Sequence, residues 1–156
     1  LTFGNREPLK VIVSKSWGFV LVYLKEIFYE KNQERCKFNY YLELFTVNGE
    51  KIGEKKLPFV ETILTWETFT SPDSFDYLAF ADQKGNLFVT EIYPFIVGNF
   101  MNKKKKQSEE ALKPVFESET EIKTIYYWED RRILAGICED GSAFMVPLDY
   151  HIFKYV

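Results

Sequence analysis

The stretch Phe75–Ile92, FDYLAFADQKGNLFVTEI, leaves a chain few folds to choose from. Two short runs of alternating, β-branched and aromatic residues flank Asp82-Gln83-Lys84-Gly85-Asn86. That is the pattern of a β-hairpin closed by a glycine-bearing turn. A second copy runs from Arg132 to Leu148, RILAGICEDGSAFMVPL, and turns at Asp140-Gly141. A looser third copy comes early, in Phe19–Leu24 and then Tyr41–Val47 after an insertion. Aligned on the hairpins, Leu21, Leu78 and Leu134 share one slot, with Leu78 57 residues after Leu21 and Leu134 56 after Leu78. A strand and a tight turn precede each slot.

Composition agrees with sheet. Phe and Tyr number 15 and 10, and aromatic residues make up 18% of the 156, a bias that suits pleated surfaces. A hydrophobic fraction of 46% is enough for a packed core. The net charge of −3 creates no field that would gather nucleic acid. Cys36 and Cys138 match no metal-ligand spacing and are expected as free, buried thiols of a reducing compartment. There is no secretory leader pattern and no apolar run of membrane-spanning length. A chain that begins at Leu1 rather than Met is expected to be part of a longer one.

Read in order, Leu1–Pro8 is a turn-rich connection and Lys10–Ser14 a short strand. Phe19–Leu24 is a nearly continuous apolar run, as for a strand covered on both faces. Lys25–Lys37 is a charged insertion within a hairpin, with one helical turn. Tyr40–Val47 alternates, Asn48-Gly49 is the strongest hairpin signal in the chain, and Lys51–Leu57 returns as an edge strand closed by Pro58. Val60–Phe69 is a strand, Ser71–Ser74 a turn, and the strand ending the central hairpin reaches about Phe95. Gly98–Pro114 breaks the composition with Lys103–Lys106 and reads as an exposed loop. Lys113–Glu119 is a returning edge strand, and Ile122–Trp128 leads into the last hairpin.

Four antiparallel strands at this period suggest a propeller blade. One such sheet cannot bury both faces alone, whereas radially stacked sheets cover one another. The blade units run over about 9–58, 59–97 and 113–150, with 98–112 an exposed charged loop. The fold expected is therefore all-β: WD-repeat-like, four-stranded blades of a β-propeller. Three such units do not close a ring, which takes about four to eight blades.

The order of elements resembles a WD-repeat blade. More narrowly, VSKSWGFVLVY, YYLELFTVNGEKI and RILAGICEDGSAFMV look like the propeller that ends BEACH-domain proteins. In those proteins an NG turn follows a strand of this type, and the last blade carries a comparable glycine-bearing hairpin. The resemblance spans about Val11 to Leu148. The Gly-His pair and Trp-Asp dipeptide of a consensus WD repeat are missing. Only Asp82 and Asp140 remain for the hydrogen-bonded tetrad those residues build. The resemblance implies that residues 1–156 are the C-terminal part of a propeller in a larger protein. The implied function is a non-catalytic, cytoplasmic protein–protein interaction scaffold in vesicle trafficking and membrane dynamics. Its partners are other proteins and the missing blades. Two alternatives stand beside it: another WD-repeat-like scaffold, cytoskeletal or signalling, and the scaffold part of an enzyme whose catalytic residues lie outside this chain.

Candidate contacts follow from propeller logic, in which loops at the faces are rigidly presented. They are Asp82, Lys84, Glu139 and Asp140 in the hairpin turns, and Glu61 and Glu121 at strand entries. Lys103, Lys104, Lys105 and Lys106 are candidates for weak peripheral contact with an anionic membrane, each lysine adding about 1 kcal/mol near a headgroup plane. Ser108-Glu109-Glu110 just after them favours a solvated loop instead. His151 is the only histidine and has no nucleophile motif beside it, so a surface tail residue is the simpler reading. Asp73, Asp76 and Asp82 read as turn residues rather than metal ligands. Trp17, Trp66 and Trp128 each fall in or beside the first strand of a unit and read as packing rings. No catalytic, cofactor or metal site is expected.

Overall fold

The structure, a computed structural model, describes residues 3–14, 18–29, 36–57, 65–72, 74–101 and 112–150. The chain forms two compact units: Leu1–Val60 with Tyr93–Lys104, and Glu61–Ile92 with Lys105–Val156.

The first unit is built on an antiparallel sheet of β1 (Arg6–Val13), β2 (Phe19–Tyr29), β3 (Cys36–Thr46) and β4 (Lys51–Lys56), in that order. The β2–β3 ladder runs without a break from Phe19 opposite Thr46 to Tyr29 opposite Cys36. The helical turn expected within Lys25–Lys37 is therefore replaced by strand wherever the chain is described. A lone helical turn closes few backbone hydrogen bonds, whereas the antiparallel ladder closes two at every second pair. The Lys25 ammonium also lies 3.9 Å over the Phe38 ring, a contact available only across the ladder. Strand β1 starts earlier than expected too, with Arg6 opposite Glu26. Its register shifts between Pro8 and Lys10, an irregularity that suits a residue without an N–H on an edge strand. Leu21, Val22, Tyr23 and Leu24 are at most 3% exposed.

Helix α1 (Ile92–Met101) corrects both the strand expected to reach Phe95 and the loop expected from Gly98. Pro94 cannot donate to a ladder, but it fits the first turn of a helix, where its N–H would go unused. The segment is apolar nearly throughout, so no helical period gave it away. From Tyr93 the helix belongs to the first unit. It packs on β4 at Gly53, where a Cβ would meet Val97 Cγ2 at 3.2 Å and the Ile96 carbonyl oxygen at 3.4 Å.

The second unit holds two antiparallel sheets. One is β5 (Thr65–Thr70), β6 (Asp76–Ala81), β7 (Asn86–Glu91) and β8 (Phe116–Glu117); the other is β9 (Ile122–Trp128), β10 (Ile133–Cys138) and β11 (Ala143–Pro147). They share one core, in which Phe69, Ala79 and Leu87 meet Ile122, Leu134 and Val146. The Phe69 ring stacks on Tyr77 at 5.4 Å and on Tyr127 at 4.2 Å. On the other face of the first of these sheets, Phe80 lies between Trp66 at 5.4 Å and Phe88 at 5.3 Å. Strand β8 pairs with β7, so the residues expected to open the third unit at 113 complete the second sheet instead. The third sheet has three strands among the described residues rather than four.

The chain is thus predominantly β, in three antiparallel sheets of three or four strands. Leu21, Leu78 and Leu134 lie in β2, β6 and β10, the second strand of each sheet, and are 3%, 0% and 0% exposed.

Candidate interaction surface

Four hairpins close in one way. In each, the N–H of the residue that ends or directly follows the first strand donates to the carbonyl four residues on, and the N–H three residues on donates back. The pairs are Thr46–Glu50, Ser71–Phe75, Asp82–Asn86 and Cys138–Ser142, at 2.8 to 3.1 Å for the first bond. The residue before the return must be left-handed. Gly49, Gly85 and Gly141 fill that position with φ of 85° to 87°, and Ser74 fills it with φ 69°. Asn48-Gly49 therefore builds a three-residue loop rather than a two-residue one.

Two of these turns are drawn to the same end of the second unit. The Ser118 N–H donates to the Gly85 carbonyl at 2.8 Å, and the Ser118 hydroxyl lies 3.2 Å from Cys138 Sγ. The Glu139 N–H donates to the Glu121 carbonyl at 2.8 Å. The segment Ser118–Glu121 thus ties the Asp82 turn to the Asp140 turn. Lys84, Glu121, Glu139 and Asp140 are all exposed on this rim. Glu139 also pairs with Lys123 at 3.7 Å.

Asp82 does not belong with them. Its side chain is buried, and Oδ1 accepts the N–H groups of Lys84 at 2.9 Å and Asn86 at 3.0 Å, while Oδ2 accepts the Asn86 side-chain amide at 3.0 Å. A carboxylate so committed shapes the turn and is not free for a partner, which corrects its selection as a contact. Asp140 is the exposed counterpart: its Oδ1 accepts from the Ser142 hydroxyl at 2.6 Å and N–H at 2.9 Å. Those hydrogen bonds hold its pKa below the ordinary aspartate value. Glu61 and Lys103–Lys106 lie outside the described residues, as do Asp73, Trp17 and His151. Asp76 accepts a hydrogen bond from the Thr70 hydroxyl at 3.1 Å. Trp66 is buried as a packing ring, whereas Trp128 is exposed. Cys138 is a free, buried thiol. Among the described residues no cluster of His, Cys, Asp or Glu is able to hold a metal, and no helix is long and apolar enough to cross a membrane.

The first unit carries a second feature, which the sequence reading missed. On one face of its sheet Glu43 stands directly opposite Glu54, and like charges so placed repel. Two cations compensate them. The Arg6 guanidinium pairs with Glu26 at 3.1 Å, with Glu43 at 3.5 Å and with Glu54, and it lies 3.7 Å over the Tyr41 ring. The Lys51 ammonium pairs with Glu43 Oε1 at 2.6 Å and Glu54 at 3.4 Å. Burial works to lower the pKa of Arg6 and Lys51, but hydrogen bonds and charge from Glu54, Glu26 and Glu43 outweigh it and both are raised. The hydrogen bond from Arg6 holds Glu54 below the ordinary glutamate value. Beside this network opens a cleft of about 580 Å³, with Phe3 and Phe45 among its walls in edge-to-face contact at 5.9 Å. The one sequence signal was Glu43 within YYLELF, a carboxylate sharing a face with Tyr41 and Phe45.

No protein-family model matches the chain, and a search of the curated proteins returns no match.

Proposed function

We propose that this chain is a non-catalytic protein–protein interaction scaffold, and that its exposed turns in the second unit are the contact surface. One observation carries this reading. Lys84, Glu121, Glu139 and Asp140 stand exposed on turns that backbone hydrogen bonds lock to one another at one end of the unit. Charged side chains on a pre-ordered rim bind with little ordering cost, and such rims set specificity more than raw affinity. The three meander sheets, each with a buried leucine in its second strand, support a further step. In that step they are blades of a propeller resembling the one that ends BEACH-domain proteins, in a larger protein acting in vesicle trafficking and membrane dynamics.

Charge reversal tests the rim. Lys84→Glu with Asp140→Lys should change the set of proteins captured from cytosol, quantified by mass spectrometry, while the thermal transition stays within about 1 kcal/mol of the parent because both side chains are exposed. An unchanged set would remove the rim from consideration. Whether the sheets belong to a propeller is a separate question. It is answered by determining the structure of the chain together with the residues that precede it in the full-length protein.

A further inference from the structure

The cleft of the first unit is independent of the rim and has a chemistry of its own. Among the described residues its charges do not balance: the ion pairs of Glu26, Glu43 and Glu54 run to two cations, Arg6 and Lys51. Arg6 is already spread over all three carboxylates and stacked on Tyr41. Lys51 touches Glu43 through Oε1 alone. The Glu43 side chain is only 7% exposed, and its Oε2 has no hydrogen-bond partner among the described residues. A carboxylate buried with one oxygen unsatisfied is an uncommon arrangement and a costly one. Lys51 holds its place from the solvent side, with its side chain 41% exposed, so its ammonium can be released to water.

We propose that the cleft receives an arginine side chain from a partner protein, which displaces Lys51 and takes both oxygens of Glu43. A guanidinium is the cation whose fork matches a carboxylate in two parallel hydrogen bonds, which an ammonium cannot do. Phe3 and Phe45 offer ring faces and edges to its stem and head. The cluster's net negative charge favours a cation over an anion. The surroundings favour a polypeptide over a free small molecule. Val11 and Val13 of β1 register with Val22 and Val20 on this same face and are 58% and 61% exposed. They form an apolar shoulder that residues flanking the arginine would cover. The displaced Lys51 stays paired with Glu54, so no cation is left stranded in the protein.

The test is a fluorescence-anisotropy titration of the full chain with a fluorescein-labelled Ala-Val-Arg-Val-Ala peptide. Saturable binding is expected, with Kd between about 10 μM and 1 mM for so short a ligand. Substituting citrulline for the arginine should weaken it at least about tenfold, because the shape is kept and the charge is lost. Glu43→Gln should weaken it to a similar degree. Since that variant also leaves Arg6 and Lys51 with less counter-charge, Lys51→Met is the decisive companion: removing the internal competitor should tighten binding. No saturation by about 5 mM peptide, equal binding of the citrulline peptide, or weaker binding to Lys51→Met would overturn the proposal. N-acetyl-arginine amide binding as tightly as the peptide would overturn the polypeptide source and assign the cleft to a small guanidinium compound. None of these outcomes bears on the rim of the second unit.

Discussion

At the level of single residues, two glycines in the same turn geometry have different work to do. Gly85 and Gly141 both sit at φ 87°. A Cβ on Gly141 would meet nothing within 4 Å, whereas on Gly85 it would meet the carbonyl oxygens of Thr120 at 2.5 Å and Ser118 at 2.6 Å. Gly141→Ala should therefore cost about 1–2 kcal/mol, the strain of a left-handed side chain alone. Gly85→Ala should cost about 3 kcal/mol or more, since the clash is with backbone that cannot swing aside. Urea denaturation of the two variants measures the difference, and equal losses would contradict the close approach of Ser118. The charged face of the first unit makes a second prediction. Glu54's lowered pKa stabilises the fold above the ordinary glutamate range, and that contribution is lost as pH falls through the lowered value. Lys51's raised pKa stabilises it below the ordinary lysine range, and that contribution is lost as pH rises through the raised value. Between these limits the two groups add no pH dependence of their own. Glu54→Gln should flatten the acid limb and also shrink the alkaline limb, because Glu54 helps to raise Lys51, read by denaturant midpoint across pH.

At the level of elements, the shortest strand depends on the company it keeps. β8 is two residues long, and the Phe116 ring stacks on Phe144 of β11 at 4.6 Å. Phe144 in turn lies across Gly136, its cross-strand partner, where a Cβ would come within 2.3 Å of the ring. The glycine makes room for the ring, and the ring covers the backbone that the glycine bares. Gly136→Ala should cost about 3 kcal/mol or more, because its Cβ would force the ring off its site and also meet the Thr124 carbonyl oxygen at 2.6 Å. A double-mutant cycle of Phe116→Leu and Phe144→Leu should return a coupling of about 0.5–1.5 kcal/mol. A coupling near zero would mean that β8 is held by its ladder alone. Elements also mark where sequence reading worked. Hairpins are local, so glycine, asparagine and alternation within 18 residues announced them. Helix α1 was hidden because its apolar residues show no period, and the continuation of β2 because Lys25 and Glu26 look like insertion when their partners are unknown.

Over the whole molecule, what was legible and what was not divides by sequence distance. The repeat of Leu21, Leu78 and Leu134 could be read because each hairpin repeats the same local chemistry. The ion network could not, because Arg6 reaches Glu26 across 20 positions and Glu54 across 48, and only the sheet order brings them together. The rim was half legible: Lys84, Glu139 and Asp140 follow from turn chemistry, but the bridge through Ser118 follows from nothing nearby. The sheet order makes a molecule-wide prediction. Among the described residues, strands β2, β3, β6, β7 and β10 are paired on both sides, while β1, β4, β5, β8, β9 and β11 are paired on one. Amide hydrogen exchange should be slowest in the former group. Protection in β1 equal to that in β2 would contradict the order.

The two units are also threaded through one another in time. The first unit takes its helix from Tyr93–Lys104, after β5, β6 and β7 of the second have already been made. At a synthesis rate of about 5–20 residues per second, several seconds separate the end of β4 from the arrival of α1. Throughout that interval the nascent chain holds a sheet whose Gly53 flank has no cover and three strands of the next unit still lacking β8. Such a chain emerges with two unfinished surfaces at once, which makes the stretch of translation between Leu57 and Met101 the one in which a chaperone has most to bind.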